Sequence, residues 1–259
     1  MPKLGPIQID DRILDAIRDD RLVIFAGAGV SMGSPADLPD FVTLANAIAA
    51  GTGLVRAENE PIDRFLGRLE VKVHQRAAQQ LSNPASLPTA LHLDLMRLFR
   101  CSDRVRLVTT NFDLHFEAAA QSVFGTCPEV FHAPALPLGL DFRGLVHVHG
   151  AITHPQEMVL TDADFGRGYL TEGWARRFLV DVFRTYTVLF VGYSHDDVVM
   201  NYLARALPAN GAANRYALTE ENGNWKLLGI TPISFRRGVE PDAFKELYDG
   251  VHCRRNVFR

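Results

Sequence analysis

Arg21–Ser34, RLVIFAGAGVSMGS, is the stretch whose reading decides the fold. Leu22, Val23, Ile24, Phe25 and Ala26 form an unbroken apolar run, the pattern of a strand buried on both faces of a parallel sheet. The run passes directly into Gly27-Ala28-Gly29-Val30-Ser31 and on to Gly33 and Ser34. Glycines at the end of such a strand let the backbone turn sharply and approach a ligand, with amide N–H groups free to hold a phosphate. A tight strand-to-helix turn without any ligand reads the same way, so the loop needs support from elsewhere in the chain.

That support comes from both sides. Before the run, Asp10–Asp20 has the pattern of an amphipathic helix, capped by Asp10 or Asp11, with Ile13, Leu14 and Ile17 on one face. After it, Leu38-Pro39-Asp40-Phe41 leads into a helix carrying Leu44, Ala45 and Ile48 and stopped at Gly51. Pro61–Arg100 reads as helical throughout, one helix marked by Phe65, Leu66, Leu69 and Val73 and another by Leu91, Leu95, Met96 and Phe99. This is a helical insert, about residues 52–100, in which His74 and His92 read as solvent-facing or internally satisfied histidines.

Strand patterns return at Arg104–Thr110, near Val130, and at Leu145–His149, Val188–Gly192, Tyr216–Leu218 and Ile233–Phe235. Helices are expected between them at Asp113–Ala120, Thr161–Leu170, Trp174–Tyr186 and Val198–Leu207, with a last one at Asp242–Tyr248. Strands alternating with helices predict an α/β fold, a doubly wound parallel sheet with a helical insert, in a single domain spanning residues 1–259. Ligands in that architecture bind beyond the carboxyl ends of the strands. The glycine loop, Thr109–Asp113, His149-Gly150 and Gly192–Asp197 all fall at such ends. Four polar clusters converging on one edge are hard to explain as packing.

Composition narrows the classes. An apolar fraction of 47% with 22% charged residues fits a soluble globular chain with a sizeable core. A net charge of −3 gives no general attraction to nucleic acid or to anionic membranes. No apolar run approaches the length of a membrane span, and MPKLGPIQIDDR has neither the basic flank nor the apolar core of a secretion signal. Cys101, Cys127 and Cys253 are too few and too scattered for a disulfide framework or a zinc ribbon. A cytoplasmic protein is expected.

Gly27-Ala28-Gly29-Val30-Ser31, Thr109-Thr110-Asn111-Phe112-Asp113, His149-Gly150 and Gly192-Tyr193-Ser194 follow one another in the order and approximate spacing of the sirtuin superfamily. The chain most resembles its bacterial sirtuin-like NAD-consuming effectors, many of them parts of anti-phage defence. The resemblance implies NAD as a substrate lying across the strand ends, with Gly27, Ala28, Gly29 and Ser31 at the pyrophosphate and Thr110 beside it. It implies that Asn111 meets the nicotinamide ribose and helps place water, and that Asp113 lies near the carboxamide. It further implies that His149 is the base, and that Gly192 and Ser194 contact phosphate and adenosine ribose. Chemistry agrees: nicotinamide leaves as a neutral group from a cationic glycoside, so cleavage needs a stabilised oxocarbenium-like sugar and a held nucleophile. A neutral amide orients water without adding charge, and an imidazole takes its proton.

The departures from the family count equally. Sirtuin deacylases carry paired Cys-x-x-Cys motifs and a Pro-Asp-Phe-Arg loop; here there is no Cys-x-x-Cys, and Pro39-Asp40-Phe41 is followed by Val42. The expected activity is therefore NAD hydrolysis or cyclisation, with protein deacylation and a nucleotide-binding module without chemistry as the alternatives. His147 and His149 alternate in a strand and should point to the same face. With Asp113, Asp196 and Asp197 this His-x-His could also build a metal site, but His-Gly fits the family without metal, and none is expected. His147 then reads as a packing or hydrogen-bonded residue behind the site. Since an unrestrained NADase would poison its own cell, the resemblance implies control by homo-oligomerisation, a partner protein or a fused sensor domain.

Overall fold

The structure is a computed structural model describing residues 3–4, 7–193, 214–220 and 224–235. A short antiparallel pair, β1 (Lys3–Leu4) and β2 (Ile7–Gln8), precedes helix α1 (Asp11–Arg18), which Asp10 caps by accepting the Arg12 N–H. Strand β3 (Leu22–Ala26) follows, then helices α2 (Phe41–Ala49), α3 (Ile62–Gly67), α4 (Val73–Leu81) and α5 (Ala90–Arg97). Next come β4 (Arg106–Thr109), α6 (His115–Phe124), β5 (Val130–His132) and β6 (Gly144–His147). Helix α7 (Asp162–Gly166) runs into a π-helical turn at Arg167–Thr171, and α8 (Trp174–Thr185) leads to β7 (Thr187–Val191). Strands β8 (Arg215–Thr219) and β9 (Thr231–Ser234) close the described part.

Seven strands form one sheet in the order β5-β6-β4-β3-β7-β8-β9, every neighbouring pair parallel. From β3 the chain fills one side, with β4 beside β3, β5 at the edge and then β6 between β4 and β5, before it returns to lay β7 against the other flank of β3. The order reverses there, which is where a doubly wound sheet opens a crevice at its strand ends. Register keeps those ends level: Ala26 lies beside both Thr109 and Val191, and Thr109 beside His147.

Strand β3 is buried on both faces, as its continuous apolar run requires. Val23 and Phe25 join a core filled by Phe178, Leu179, Val182 and Phe183 of α8, while Leu22, Ile24 and Ala26 join the opposite core with Ile13 and Ile17 of α1 and Phe116 of α6. At about 1.5–3 kcal/mol per large buried apolar side chain, burial of this strand on both faces anchors the sheet's centre.

Helices α2, α3 and α4 build a third core around Ile48, Phe65, Leu66 and Ala77, closed underneath by Met158 and Leu160. The expected single helix through Phe65–Val73 is in fact two: α3 ends at Gly67, the chain turns, and Val73 opens α4. The apolar spacing survives the break because both segments bury against the same core. Ser194, His195, Asp196 and Asp197, and the helices expected at 198–207 and 242–248, lie outside the described residues. Among the described residues no helix is long and apolar enough to cross a membrane.

Candidate active site

The glycine loop leaves β3 as a short 3₁₀ turn, Ala28–Val30, and its geometry is set by the turn that leaves β7. The Gly27 N–H donates to the Val191 carbonyl and the Gly29 N–H to the Gly192 carbonyl, each at 2.9 Å. A Cβ on Gly29 would lie 2.9 Å from the Gly192 Cα, and one on Gly192, whose φ is +76°, would lie 2.8 Å from the Val30 nitrogen. The two turns can meet only as glycines. This corrects the expectation of free amides: Gly27, Gly29, Val30 and Ser31 all donate within the framework, and among the described residues only the Ala28 N–H of this run has no partner. Tyr193 seals the joint, its ring against Gly27 and its hydroxyl donating to the Ala26 carbonyl at 3.0 Å while 2.8 Å from the Thr110 hydroxyl.

In front of this framework lies a cleft enclosing about 630 Å³ including its open mouth. Ala28, Ser31, Thr110, Asn111, Asp113 and His149 supply its polar wall; Leu38, with Phe41 and Leu44 of α2, and Val159 and Phe165 supply the apolar one. Of the residues expected in the site, these six line the cleft, whereas Gly27, Gly29 and Gly192 stand behind it and Ser194 lies outside the described residues.

Ser31 is the hub. Its hydroxyl donates to Asp113 Oδ2 at 3.0 Å and receives Asn111 Nδ2–H at 3.1 Å. A third contact, to His92 Nε2 at 3.2 Å, comes from α5 of the insert. His92 Nδ1 accepts the Thr89 N–H at 3.1 Å and faces the Thr89 hydroxyl at 2.7 Å; a backbone N–H can only donate, so the proton of the neutral ring sits on Nε2 and is directed at Ser31. Burial, and secondarily the nearby His115, holds the His92 pKa down at about 3. Asp113 Oδ1 accepts the His115 N–H at 3.0 Å, which fixes the carboxylate at the start of α6. Sequence reasoning missed His92 as a site residue. The trace it leaves is Thr89-x-x-His92, a capping box that turns the ring toward the core beneath α5.

His147 and His149 do not share a face. The strand ends at His147, so alternation does not extend to His149. His147 points toward α6, where Nδ1 lies 3.1 Å from the Asn111 carbonyl and Nε2 lies 2.9 Å from Glu117 Oε1. A carbonyl and a carboxylate on the two ring nitrogens select the doubly protonated ring. Burial opposes that charge, but Glu117, the Asn111 carbonyl and the more distant Asp113 outweigh it and raise the pKa. His132 stacks on it at 5.0 Å and is itself held less basic, by burial and then by the His147 charge. His149 turns the other way, against Phe165, with Nε2 2.8 Å from the Tyr169 hydroxyl; burial alone brings its pKa to about 3. With both ring nitrogens engaged, His147 has no lone pair to offer the metal site considered from His-x-His spacing.

Parallel strands in this order, with a polar cleft where the order reverses, define a doubly wound α/β fold. Residues 105–233 match the SIR2-like domain family, and the chain carries a domain of that family. Two solved structures share the fold. One is a Sir2 homologue–NAD complex (TM-score 0.55, 14% identity, covering 95% of each chain); the other comes from work on the mechanism and regulation of Sir2 enzymes (TM-score 0.50, 12% identity, covering 96% of this chain and 100% of that one). An uncharacterized protein of Sinorhizobium fredii, y4cA, is 31% identical over 272 aligned residues, which cover 90% of this chain. The chain spans only about a fifth of that relative's length, 22%.

Proposed function

We propose that this domain hydrolyses NAD, releasing nicotinamide. What carries the reading is one arrangement: Asn111, held by Ser31, which in turn donates to Asp113, shares a cleft with the buried neutral His149 at the strand ends of a SIR2-like domain. The similarity to a Sir2 homologue solved with NAD supports the choice of dinucleotide. In this reading Ala28 offers its N–H to the pyrophosphate, with Thr110 alongside. The apolar wall of Phe41, Leu44 and Phe165 keeps bulk water from the sugar cation, and Asn111 holds the attacking water or a ribose hydroxyl. His149, unprotonated at physiological pH, accepts the proton given up.

Nothing in this scheme needs a metal. Hydrolysis is preferred to deacylation because the chain lacks Cys-x-x-Cys motifs and has Val42 where the deacylase loop carries arginine. We place the protein in the cytoplasm as an effector that depletes NAD in anti-phage defence, its 259 residues one catalytic domain. Activity is held in check by self-assembly, a partner or a fused segment, a reading that the greater length of y4cA supports. The test is nicotinamide release from NAD by purified protein over a range of concentrations, with Asn111→Ala as control. Turnover in the wild type and a loss of about 10²-fold or more in folded Asn111→Ala are expected. Tight NAD binding without turnover would favour the binding module, and release only with an acylated peptide would restore the deacylase.

A further inference from the structure

We infer that His92 is a positioning residue that acts through Ser31 to fix the amide orientation of Asn111, so that its carbonyl oxygen faces the cleft. This rests on the NAD-cleavage reading of the same site.

The argument is one of hydrogen-bond polarity. A hydroxyl has one proton and two acceptor lone pairs. Ser31 has three partners: Asp113 Oδ2 at 3.0 Å, Asn111 at 3.1 Å and His92 Nε2 at 3.2 Å. The carboxylate can only accept, so it takes the Ser31 proton, and the other two groups must donate. His92 meets that demand because the Thr89 N–H, which can only donate, occupies Nδ1 at 3.1 Å, the Thr89 hydroxyl at 2.7 Å then turns its proton to the same lone pair, and the ring proton is left on Nε2. Asn111 must then face Ser31 with its NH₂, and Oδ1 becomes the end with no hydrogen-bond partner among the described residues. Asn111 lines the cleft, so an acceptor stands there, suited to water or a sugar hydroxyl. Without the His92 donor, Ser31 is free to rotate its proton onto Asn111, and the amide can turn to present NH₂ instead.

His92 itself is fully buried and is not part of the cleft wall. It belongs to α5 of the insert, so the relay also ties the insert to the sheet edge: the Thr89 hydroxyl, 2.7 Å from His92 Nδ1, lies 3.1 Å from the Val30 carbonyl, within the glycine loop.

Two substitutions separate positioning from support. His92→Asn keeps an acceptor for the Thr89 N–H but does not reach Ser31. His92→Gln keeps an Nε2 donor for Ser31 but gives up the cap. Nicotinamide release and melting temperature are measured for both. The relay predicts that His92→Asn loses about tenfold or more in kcat with KM within about threefold, while His92→Gln stays within about threefold of wild type despite the lower melting temperature. Adding His92→Asn to Ser31→Ala should cost nothing further. Activity that follows melting temperature across the variants, or full additivity with Ser31→Ala, would overturn the relay. Nitrogen chemical shifts supply a readout independent of turnover: His92 should be the neutral Nε2–H tautomer, and an Nδ1–H tautomer rejects the proposal. If wild type releases no nicotinamide, the NAD reading falls while the tautomer still decides the relay.

Discussion

The two sides of the β6 end hold histidines two residues apart in opposite states. His147 is 0% exposed and His149 2%, so burial does not distinguish them. Partners do. On the α6 side a carboxylate and a carbonyl receive two ring protons and hold His147 as a cation; on the α7 side a phenol hydroxyl and two aromatic rings leave His149 neutral. Desolvation sets the cost of charge, and the acceptors in reach decide whether it is met. One histidine is thereby fitted to hold the Asn111 backbone, and the other keeps a neutral ring at the cleft, as the proposed base requires.

The largest expected difference follows directly. His149→Ala should lower NAD turnover by about 10²–10⁴-fold, the usual scale for loss of a general base, with only a modest change in melting temperature. His147→Ala should show the reverse pattern. It strands the Glu117 carboxylate, 19% exposed, and removes the donor on the Asn111 carbonyl, so a stability loss of about 3 kcal/mol is expected, with a far smaller fall in turnover of the folded protein. Chemical denaturation and steady-state kinetics on both variants check this. Equal losses of the same kind in both would break the comparison.

How much of this the sequence made legible depends on distance along the chain. The sheet was legible because Leu22–Ala26 and Val188–Val191 are apolar runs followed by glycine and because strands alternate with helices; the strand order, with β6 between β4 and β5, was not legible. Ala28, Ser31, Asn111, Asp113 and His149 could be gathered because each closely follows a strand. His92 could not, since its meeting with Ser31 spans 61 residues and depends on how the insert docks. The purpose of Gly29 was half legible: it permits a close approach, but to the Gly192 backbone. Alternation misplaced His147 relative to His149 because sequence does not show that the strand stops at His147.

A smaller effect, shared by both sides, appears in the pH dependence of stability. His92 and His149 titrate in the unfolded chain near 6.5 and in the folded one near 3, so below 6.5 the unfolded state takes up protons that the folded state refuses. Their contribution is intact above pH 6.5 and is lost as the pH falls toward 3, at about 1.4 kcal/mol per pH unit for each ring. The raised pKa of His147 works the other way. Its stabilisation is full below 6.5 and fades only as the pH rises through the folded value. Melting temperature should therefore fall steeply on acidification, with an uptake of about two protons on unfolding near pH 5. His147→Ala should leave that acid slope unchanged, whereas a variant that removes His149 should shallow it by about one proton. A slope unaffected by loss of His149 would mean that its ring is already protonated in the folded protein.

The smallest effect comes from a third histidine, which sets the scale for the other two. His74 on α4 lies 2.8 Å from Asp164 Oδ2, joining the insert to the turn that begins α7. Like His147 it has a carboxylate partner, but it is 21% exposed, so water can replace much of what the pair supplies. Asp164 also keeps other partners: the Leu160 and Thr161 N–H groups and the Thr161 hydroxyl all donate to Oδ2. These bonds, with His74, bring its pKa to about 2 although burial acts upward. His74→Ala should therefore leave the α7 cap standing and cost about 1 kcal/mol or less, a fall of about 2–4 °C in melting temperature. Turnover should stay within about twofold of wild type, because neither His149 nor Asn111 loses a partner. A much larger fall in kcat than in stability would show that the insert's hold on α7 governs the cleft. Phe165 and the Tyr169 partner of His149 would then be moving parts, and the neutral side of the comparison would depend on how the insert sits.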